Sequence, residues 1–212
     1  GGYIILGTFV DDSWNSVAWL IKTDSDGNEE WIKTFVGYYG GSIQQTNDGG
    51  CILSASDFSN SLWGMALLIK IDTNGNEEWV ETFENGYSSS AKQTNDGGYI
   101  WMLFRHPQTI LIKTDSQGNE EWNQFFGDSS LNYQLEGYDV IQTVDDRYII
   151  VGFEDIDSRE DWYNYVLMIL KTNVNGLEEW KRNFDYDPID DQRNIGQSID
   201  QTTDGGYIIV GR

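Results

Sequence analysis

Apolar and polar residues alternate along this chain in runs of about five to eight, each closed by a turn rich in Gly, Asn or Asp, which is the pattern of half-buried β-strands. No stretch keeps apolar residues at i, i+3 and i+4 long enough for a helix. The runs follow a fixed order. Residues 42–46 lead through an Asp-Gly turn into 51–56, and residues 66–71 lead through a turn containing Gly75 into 77–83. These four runs, strands A to D of one unit, predict two hairpins, because Asp and Gly tolerate the positive φ that tight turns demand.

Two phrases give the period. Gln45-Thr46-Asn47-Asp48-Gly49-Gly50 returns at 93–98, as Gln142-Thr143-Val144-Asp145-Asp146-Arg147, and at 201–206, each time ahead of an apolar run such as Tyr207-Ile208-Ile209-Val210-Gly211. Leu68-Ile69-Lys70-Ile71-Asp72-Thr73-Asn74-Gly75-Asn76-Glu77-Glu78-Trp79 has counterparts at 19–31, 111–122 and 169–180. Gly50, Gly98, Arg147 and Gly206 lie 48, 49 and 59 positions apart, and Gly2-Tyr3-Ile4-Ile5-Leu6-Gly7 is one more copy of the second half. Four antiparallel strands per ~45–50 residues is the period of a β-propeller blade. The expected fold is therefore all-β, a β-propeller of four-stranded antiparallel blades with about four blades present. Units fall near 1–40, 41–88, 89–136, 137–195 and 196–212, within a single domain. The chain supplies four A strands, five B, four C and four D. A surplus strand B predicts an arc of a longer propeller, with a closed four-bladed ring carrying a spare strand as the alternative. An opening inside a unit, without an initiator Met, is also expected of a piece of something longer.

An isolated four-stranded sheet leaves both faces apolar, so neighbouring sheets must stack. Trp31, Trp79, Trp122 and Trp180 recur at one place in strand D, each followed four residues later by Phe35, Phe83, Phe126 or Phe184. Even spacing puts each pair on one strand face, where it is expected to fill the seam between blades.

On these phrases the chain resembles WD-repeat propellers in strand layout, although the Trp-Asp dipeptide is missing. Asp24-x-x-Gly27-x-x-x-Trp31 resembles the tryptophan-docking repeat of quinoprotein-like propellers, with a turn one residue shorter. The match extends furthest to a repeat of secreted prokaryotic surface proteins, a Thr-x-Asp-Gly-Gly-Tyr-Ile-Ile-x-Gly phrase followed by Leu-Ile-Lys-Thr-Asp-x-x-Gly-x-x-x-Trp. It spans essentially the whole chain. The resemblance implies a propeller fold and an extracellular or cell-surface location. The adjacent cysteines that a quinoprotein enzyme would lead one to look for are missing.

Charge narrows the partners. A formal net charge of −22 repels phosphate backbones and anionic lipid surfaces, so no nucleic-acid partner is expected. No run approaches the ~20 apolar residues of a membrane span, so membrane insertion is not expected either, and no signal peptide is visible. The single Cys51 excludes an intrachain disulfide, and the single His106 excludes a multi-histidine metal centre.

Candidate chemistry sits where the units differ, because variable loops on a rigid frame carry specificity. The B–C loops bring Trp14, Trp63, His106, Trp162 and Tyr163, and the D–A loops bring Tyr38, Tyr39, Tyr87, Tyr186 and the segment 128–138. Trp and Tyr among carboxylates suit a glycan platform, a cation site or a protein-recognition surface, and Trp14, Trp63, His106, Trp162, Tyr163 and Tyr186 are the candidate ligand contacts. The competing reading is solvated loops whose aromatics fold back onto their own blade edges. In the fourth unit Asp155, Asp157, Glu160 and Asp161 are placed to meet Asp185, Asp187, Asp190 or Asp191, and such a cluster invites calcium. The Asp24-Ser25-Asp26-Gly27-Asn28-Glu29 phrase has the look of a calcium loop, yet its copies lose carboxylates, which favours a plain turn with Gly in the left-handed position. Lys22, Lys70, Lys113 and Lys171 face paired glutamates across the C–D hairpin, as structural ion pairs. No Gly-x-Ser-x-Gly elbow, P-loop or His-Glu-x-x-His phrase is present. The expected function is a non-catalytic scaffold binding a protein or glycan. The alternatives are a carbohydrate-active or quinoprotein-like enzyme and a spacer of a surface layer.

Overall fold

The structure, a computed structural model, describes residues 1–59, 64–128, 134–156, 165–185 and 194–212. Strands β1 (Gly2–Val10), β2 (Ser16–Asp24) and β3 (Glu29–Val36) form a three-stranded sheet. Three four-stranded sheets follow. The first holds β4 (Tyr38–Gln45), β5 (Cys51–Asp57), β6 (Met65–Ile71) and β7 (Glu77–Glu84). The next holds β8 (Tyr87–Gln93), β9 (Tyr99–Arg105), β10 (Gln108–Thr114) and β11 (Glu120–Phe126). The last holds β12 (Leu135–Gln142), β13 (Tyr148–Asp155), β14 (Tyr165–Thr172) and β15 (Glu178–Phe184). A hairpin of β16 (Gly196–Gln201) and β17 (Tyr207–Gly211) ends the series. Within every sheet consecutive strands pair antiparallel, in the expected order A-B-C-D. The sheets are arranged like blades. Among the described residues they form no closed barrel: β16 pairs with β17, and β1 pairs with β2 alone. Among the described residues no helix is long and apolar enough to cross a membrane.

Strand A begins earlier than its alternation predicts. Tyr38, Tyr39, Tyr87 and Tyr138, expected in loops, belong to β4, β8 and β12. The reason is a β-bulge at one place in all four A strands, between Gly40 and Ser42, Ser88 and Ser90, Gly137 and Asp139, and Gly196 and Ser198. An extra residue there breaks the period of two on which a sequence reading depends.

The core lies between sheets. Ile52, Leu68, Trp79 and Phe83 of one sheet pack against Tyr99, Trp101, Ile110 and Ile112 of the next, and burying each aliphatic is worth about 1.5–3 kcal/mol. The strand-D indoles sit in these seams as expected. Trp79 meets Tyr99 edge-on at 5.5 Å between ring centroids, and Trp122 meets Tyr148 at 5.7 Å. Each indole also lies on the turn glycine of the following sheet. A Cβ on Gly75, Gly118 or Gly176 would stand 3.0, 3.0 and 2.4 Å from Trp31, Trp79 and Trp122. Those glycines hold φ of 76°, 90° and 76°, so both the turn and the approach of the ring demand Gly. In the first seam Cys51 stands where later units have Tyr, and the buried Nε1 of Trp31 has no hydrogen-bond partner. Phe184 departs from the pattern and stays half exposed, because β16 and β17 cover only part of that sheet.

Polar ties run beside this apolar packing. The A strands β4, β8, β12 and β16 lie next to one another in sequence order. The amide oxygens of Gln93, Gln142 and Gln201 accept the backbone N–H of Asn47, Asn95 and Val144, at 2.8, 2.8 and 3.0 Å, each in the A–B turn of the preceding unit. Ser42 Oγ accepts from the Ala91 N–H, and Gln44 Oε1 from the Gln93 N–H. The Ala91 and Gln93 donors of β8 are thus satisfied by the neighbouring strand β4.

Trp122→Ala is expected to lower stability by about 3 kcal/mol, read from the urea midpoint, while Trp14→Ala stays within about 0.5 kcal/mol. Gly118→Ala should cost about 1–3 kcal/mol, because it adds strain at positive φ and a collision with Trp79.

Candidate functional site

The repeated lysine is the most thoroughly built charged position. Lys70 is buried, and its Nζ reaches Asp48 at 2.9 Å, Glu78 at 2.8 Å and the Ile71 carbonyl at 3.1 Å. Lys113 repeats this with Asp96, Glu121 and the Thr114 carbonyl, all at 2.9 Å. A bulge opposite each lysine makes the geometry: Lys70 pairs with Trp79 and Ile71 with Glu77, so Glu78 is the extra residue, turned toward the ammonium. In the first three units the second member of the expected glutamate pair is the partner, whereas the pairing expected of Lys171 is not formed. In the first unit Lys22 pairs with Glu30. In the fourth, Arg147 takes Glu179 at 2.8 Å while Lys171 reaches Asp145 at 3.4 Å. The turn aspartates were not foreseen. Thr46 and then Lys70 hold Asp48 well below the carboxylate range, to about 2. Burial works against ionisation of Asp96, but Thr94 and Lys113 outweigh it and bring it to about 2 as well. Asp145 falls to about 2 through its bond from Thr143.

The C–D turns are capped rather than metal-ready. Asp24 Oδ1 accepts the N–H of Asp26 and Asn28, and its Oδ2 accepts the Asn28 amide. Asp72 and Asp115 repeat the arrangement, and Asn173 performs the backbone part of it. With both carboxylate oxygens engaged in this way, a plain turn accounts for the phrase.

Two further polar groupings are larger. Where the A strands converge there is a cavity of about 430 Å³ lined by Gln44, Lys92, Asp139, Gln142, Ser198 and Gln201 among others, so four successive units contribute. Asp139 stands in the register of Ser42, Ser90 and Ser198. Its Oδ1 accepts the Ser90 hydroxyl at 2.9 Å, and its Oδ2 accepts the Ser198 hydroxyl at 3.1 Å and the Ile199 N–H at 3.3 Å. Lys92 lies 3.7 Å from the same carboxylate. The second grouping lies at the other end of the strands. Buried Glu136 accepts the Tyr87 hydroxyl at 2.6 Å and the Gln134 amide at 2.8 Å. Burial raises the Glu136 pKa against the lowering effect of Tyr87, Gln134 and Tyr138. Burial, then the nearby Glu136 charge, pushes the Tyr87 and Tyr138 hydroxyls up.

The residues singled out in the sequence fall apart by comparison. Trp14 is 88% exposed at the tip of the β1–β2 turn, at a φ of 65°. His106 is exposed in the β9–β10 turn, edge-on to Phe104 at 6.1 Å. Asp155 ends β13, buried, its N–H donating to the Gln134 carbonyl at 2.8 Å. These three belong to the B–C ends of three different sheets. Trp63, Trp162, Tyr163, Tyr186, Asp157, Glu160, Asp161, Asp187, Asp190 and Asp191 lie outside the described residues. Among the described residues no group of three or more His, Cys, Asp or Glu side chains is placed to hold a metal ion.

No family model matches the chain, and no curated protein matches it significantly. Among solved structures it is similar to a protein of unknown function from Bacteroides caccae, at 10% identity and a TM-score of 0.45, covering 84% of this chain and 80% of that one. It is also similar to a hypothetical protein from Leishmania major, at 10% identity and a TM-score of 0.49, covering 100% and 81%. Neither likeness carries functional weight.

The lowered aspartates fix a pH dependence. Their ordinary value is 3.8 and their folded value about 2, so their contribution is complete above about pH 4 and is lost as pH falls toward 2. Melting temperature is expected to drop across that window, with a shallower fall in Asp48→Asn and Asp96→Asn. An unchanged slope in both variants would remove these carboxylates from the acid response.

Proposed function

We propose that the stacked sheets are blades of a β-propeller, and that the chain is a non-catalytic scaffold of a secreted or cell-surface protein that binds an oligosaccharide in the groove between the A strands. The observation that carries this reading is the cavity of about 430 Å³ where amide, hydroxyl, ammonium and carboxylate groups of four units meet. Such a mixture of donors and acceptors matches a ligand dense in hydroxyls, and a rigid frame holds it in place without ordering cost. Side-by-side A strands and indole-filled seams support the propeller part of the proposal. Asp139 favours a scaffold over the carbohydrate-active alternative, since both its oxygens are engaged in holding β8 and β16. The groove lies toward the A–B turns, away from the variable loops on which binding was expected.

A second reading is favoured by Trp14. An indole 88% exposed at a loop tip is an anchor for a protein partner at the B–C end, since Trp is enriched at interface hot spots. Calcium enters the proposal only through the acidic segments around 155–161 and 185–191.

Titration calorimetry with neutral and amino-sugar oligosaccharides tests the groove. Saturable binding is expected, weakened about tenfold in Lys92→Ala, since a hydrogen bond to a charged group is worth ~1.5–3 kcal/mol. Silence across the whole set would turn attention to the Trp14 end. Calcium at millimolar concentration is expected to raise the melting temperature, and a flat response removes the cation from the proposal.

A further inference from the structure

Among the described residues Lys92 is the one lysine that has no hydrogen-bond acceptor. Every other lysine donates to a carboxylate or amide oxygen, and Lys70 and Lys113 each hold three oxygens. Lys92 lines the A-strand groove, partly exposed, with its Nζ 3.7 Å from Asp139 Oδ1. That separation is beyond a hydrogen bond, and Asp139 has no lone pair left to close it. Its Oδ1 accepts the Ser90 hydroxyl at 2.9 Å and the Val140 N–H at 3.0 Å. Its Oδ2 accepts the Ser198 hydroxyl at 3.1 Å and the Ile199 N–H at 3.3 Å. Those four bonds fill the acceptor positions of a carboxylate. The Lys92 ammonium is therefore offset in charge, yet its N–H groups are left for an acceptor from outside.

Lys92 also stands where the units differ. Gln44, Lys92, Ile141 and Asp200 hold one register in the four A strands, opposite Ile52, Ile100, Ile149 and Ile208. Because the A strands lie side by side, this row runs from amide to ammonium to aliphatic to carboxylate across the groove. Lys92 is the only charged donor in the row. Asp200, two strands away, accepts the Gln201 N–H at 2.8 Å and stays exposed. An anionic group on a ligand is thus drawn toward β8 and repelled from β16. The net charge of −22 acts on the ligand as a whole, and it opposes a polyanion far more than a singly charged molecule.

We propose that the groove selects an oligosaccharide carrying a single carboxylate, a uronic acid among neutral sugars, and that Lys92 sets this preference by hydrogen-bonding the carboxylate. This rests on the reading of the A-strand groove as a glycan site and narrows it to an acidic glycan. The ligand carboxylate supplies the oxygens that Asp139 has already committed elsewhere. Ile141 gives an apolar surface to the C–H face of the next ring, and Asp200 turns away a second acid.

Titration calorimetry on the 212-residue chain with one trisaccharide in two forms tests this: a glucuronate between two neutral sugars, and the same molecule with its carboxyl reduced to a primary alcohol. The acid form is expected to bind about tenfold more tightly, the gain of one charge-assisted hydrogen bond. Lys92→Gln should bring the ratio of the two affinities to about one, and Lys92→Arg should keep it. Lys33→Gln, outside the groove, should leave it unchanged. A trisaccharide with a uronate on every ring should bind more weakly than the single-uronate form, and Asp200→Asn should narrow that gap. Equal affinity of the two forms for the wild-type chain overturns the acidic preference and leaves the glycan reading of the groove standing. A ratio that survives Lys92→Gln overturns the role given to Lys92. If neither form binds, the glycan reading falls and this inference falls with it.

Discussion

One contact sets the geometry of this molecule: the strand-D indole lying on the turn glycine of the following sheet. A ring that approaches a backbone this closely leaves no room for a Cβ, so the distance between adjacent sheets is fixed at Gly75, Gly118 and Gly176. The left-handed turn requires Gly at the same positions, and thus one residue satisfies two constraints at once. The rest of the seam fits around that spacing. Tyr99 and Tyr148 meet the indoles edge-on, and Phe83 and Phe126 extend the same apolar strip.

Polar groups settle what apolar packing leaves open. Hydrophobic seams are non-directional and would allow sheets to slide. The glutamine at the end of β8, β12 and β16 prevents this, because its amide oxygen must reach one particular N–H in the preceding turn. The buried lysines do similar work within a sheet. Lys70 and Lys113 draw together the A–B turn and strand D, each with two carboxylates and a carbonyl as partners. An ammonium is costly to bury, and three oxygen partners are what make the position tolerable.

Much of the architecture was legible because it is written several times. Recurrence of the Asp-Gly and Asp-x-x-Gly turns separates strands A to D, and even spacing from Trp79 to Phe83 foretells their common face. Strand A was the weak point. Its bulge between Gly40 and Ser42 throws the alternation out of phase, so Tyr38 and Tyr87 read as loop residues. The partners of Lys70 were half visible: Glu78 is close in sequence, whereas Asp48 arrives from another hairpin and leaves no local trace. The recurrent glutamine was in plain view as part of the period, but its role depends on a neighbouring sheet. Glu136 carried no signal at all, since a lone Glu in a segment of mixed composition gives no hint of burial against Tyr87. The groove escaped for the same reason: its lining comes from residues about 48 positions apart, each unremarkable alone.

Every tie described in the stack, whether indole on glycine, glutamine on amide or serine on carboxylate, joins a unit only to the ones beside it. Copying or excising one whole module at the genetic level would therefore recreate the same joints between whatever modules became adjacent. Length is then free to drift over evolutionary time while the joint itself is held fixed, and a family built on this plan would be expected to vary in module number far more than in module sequence.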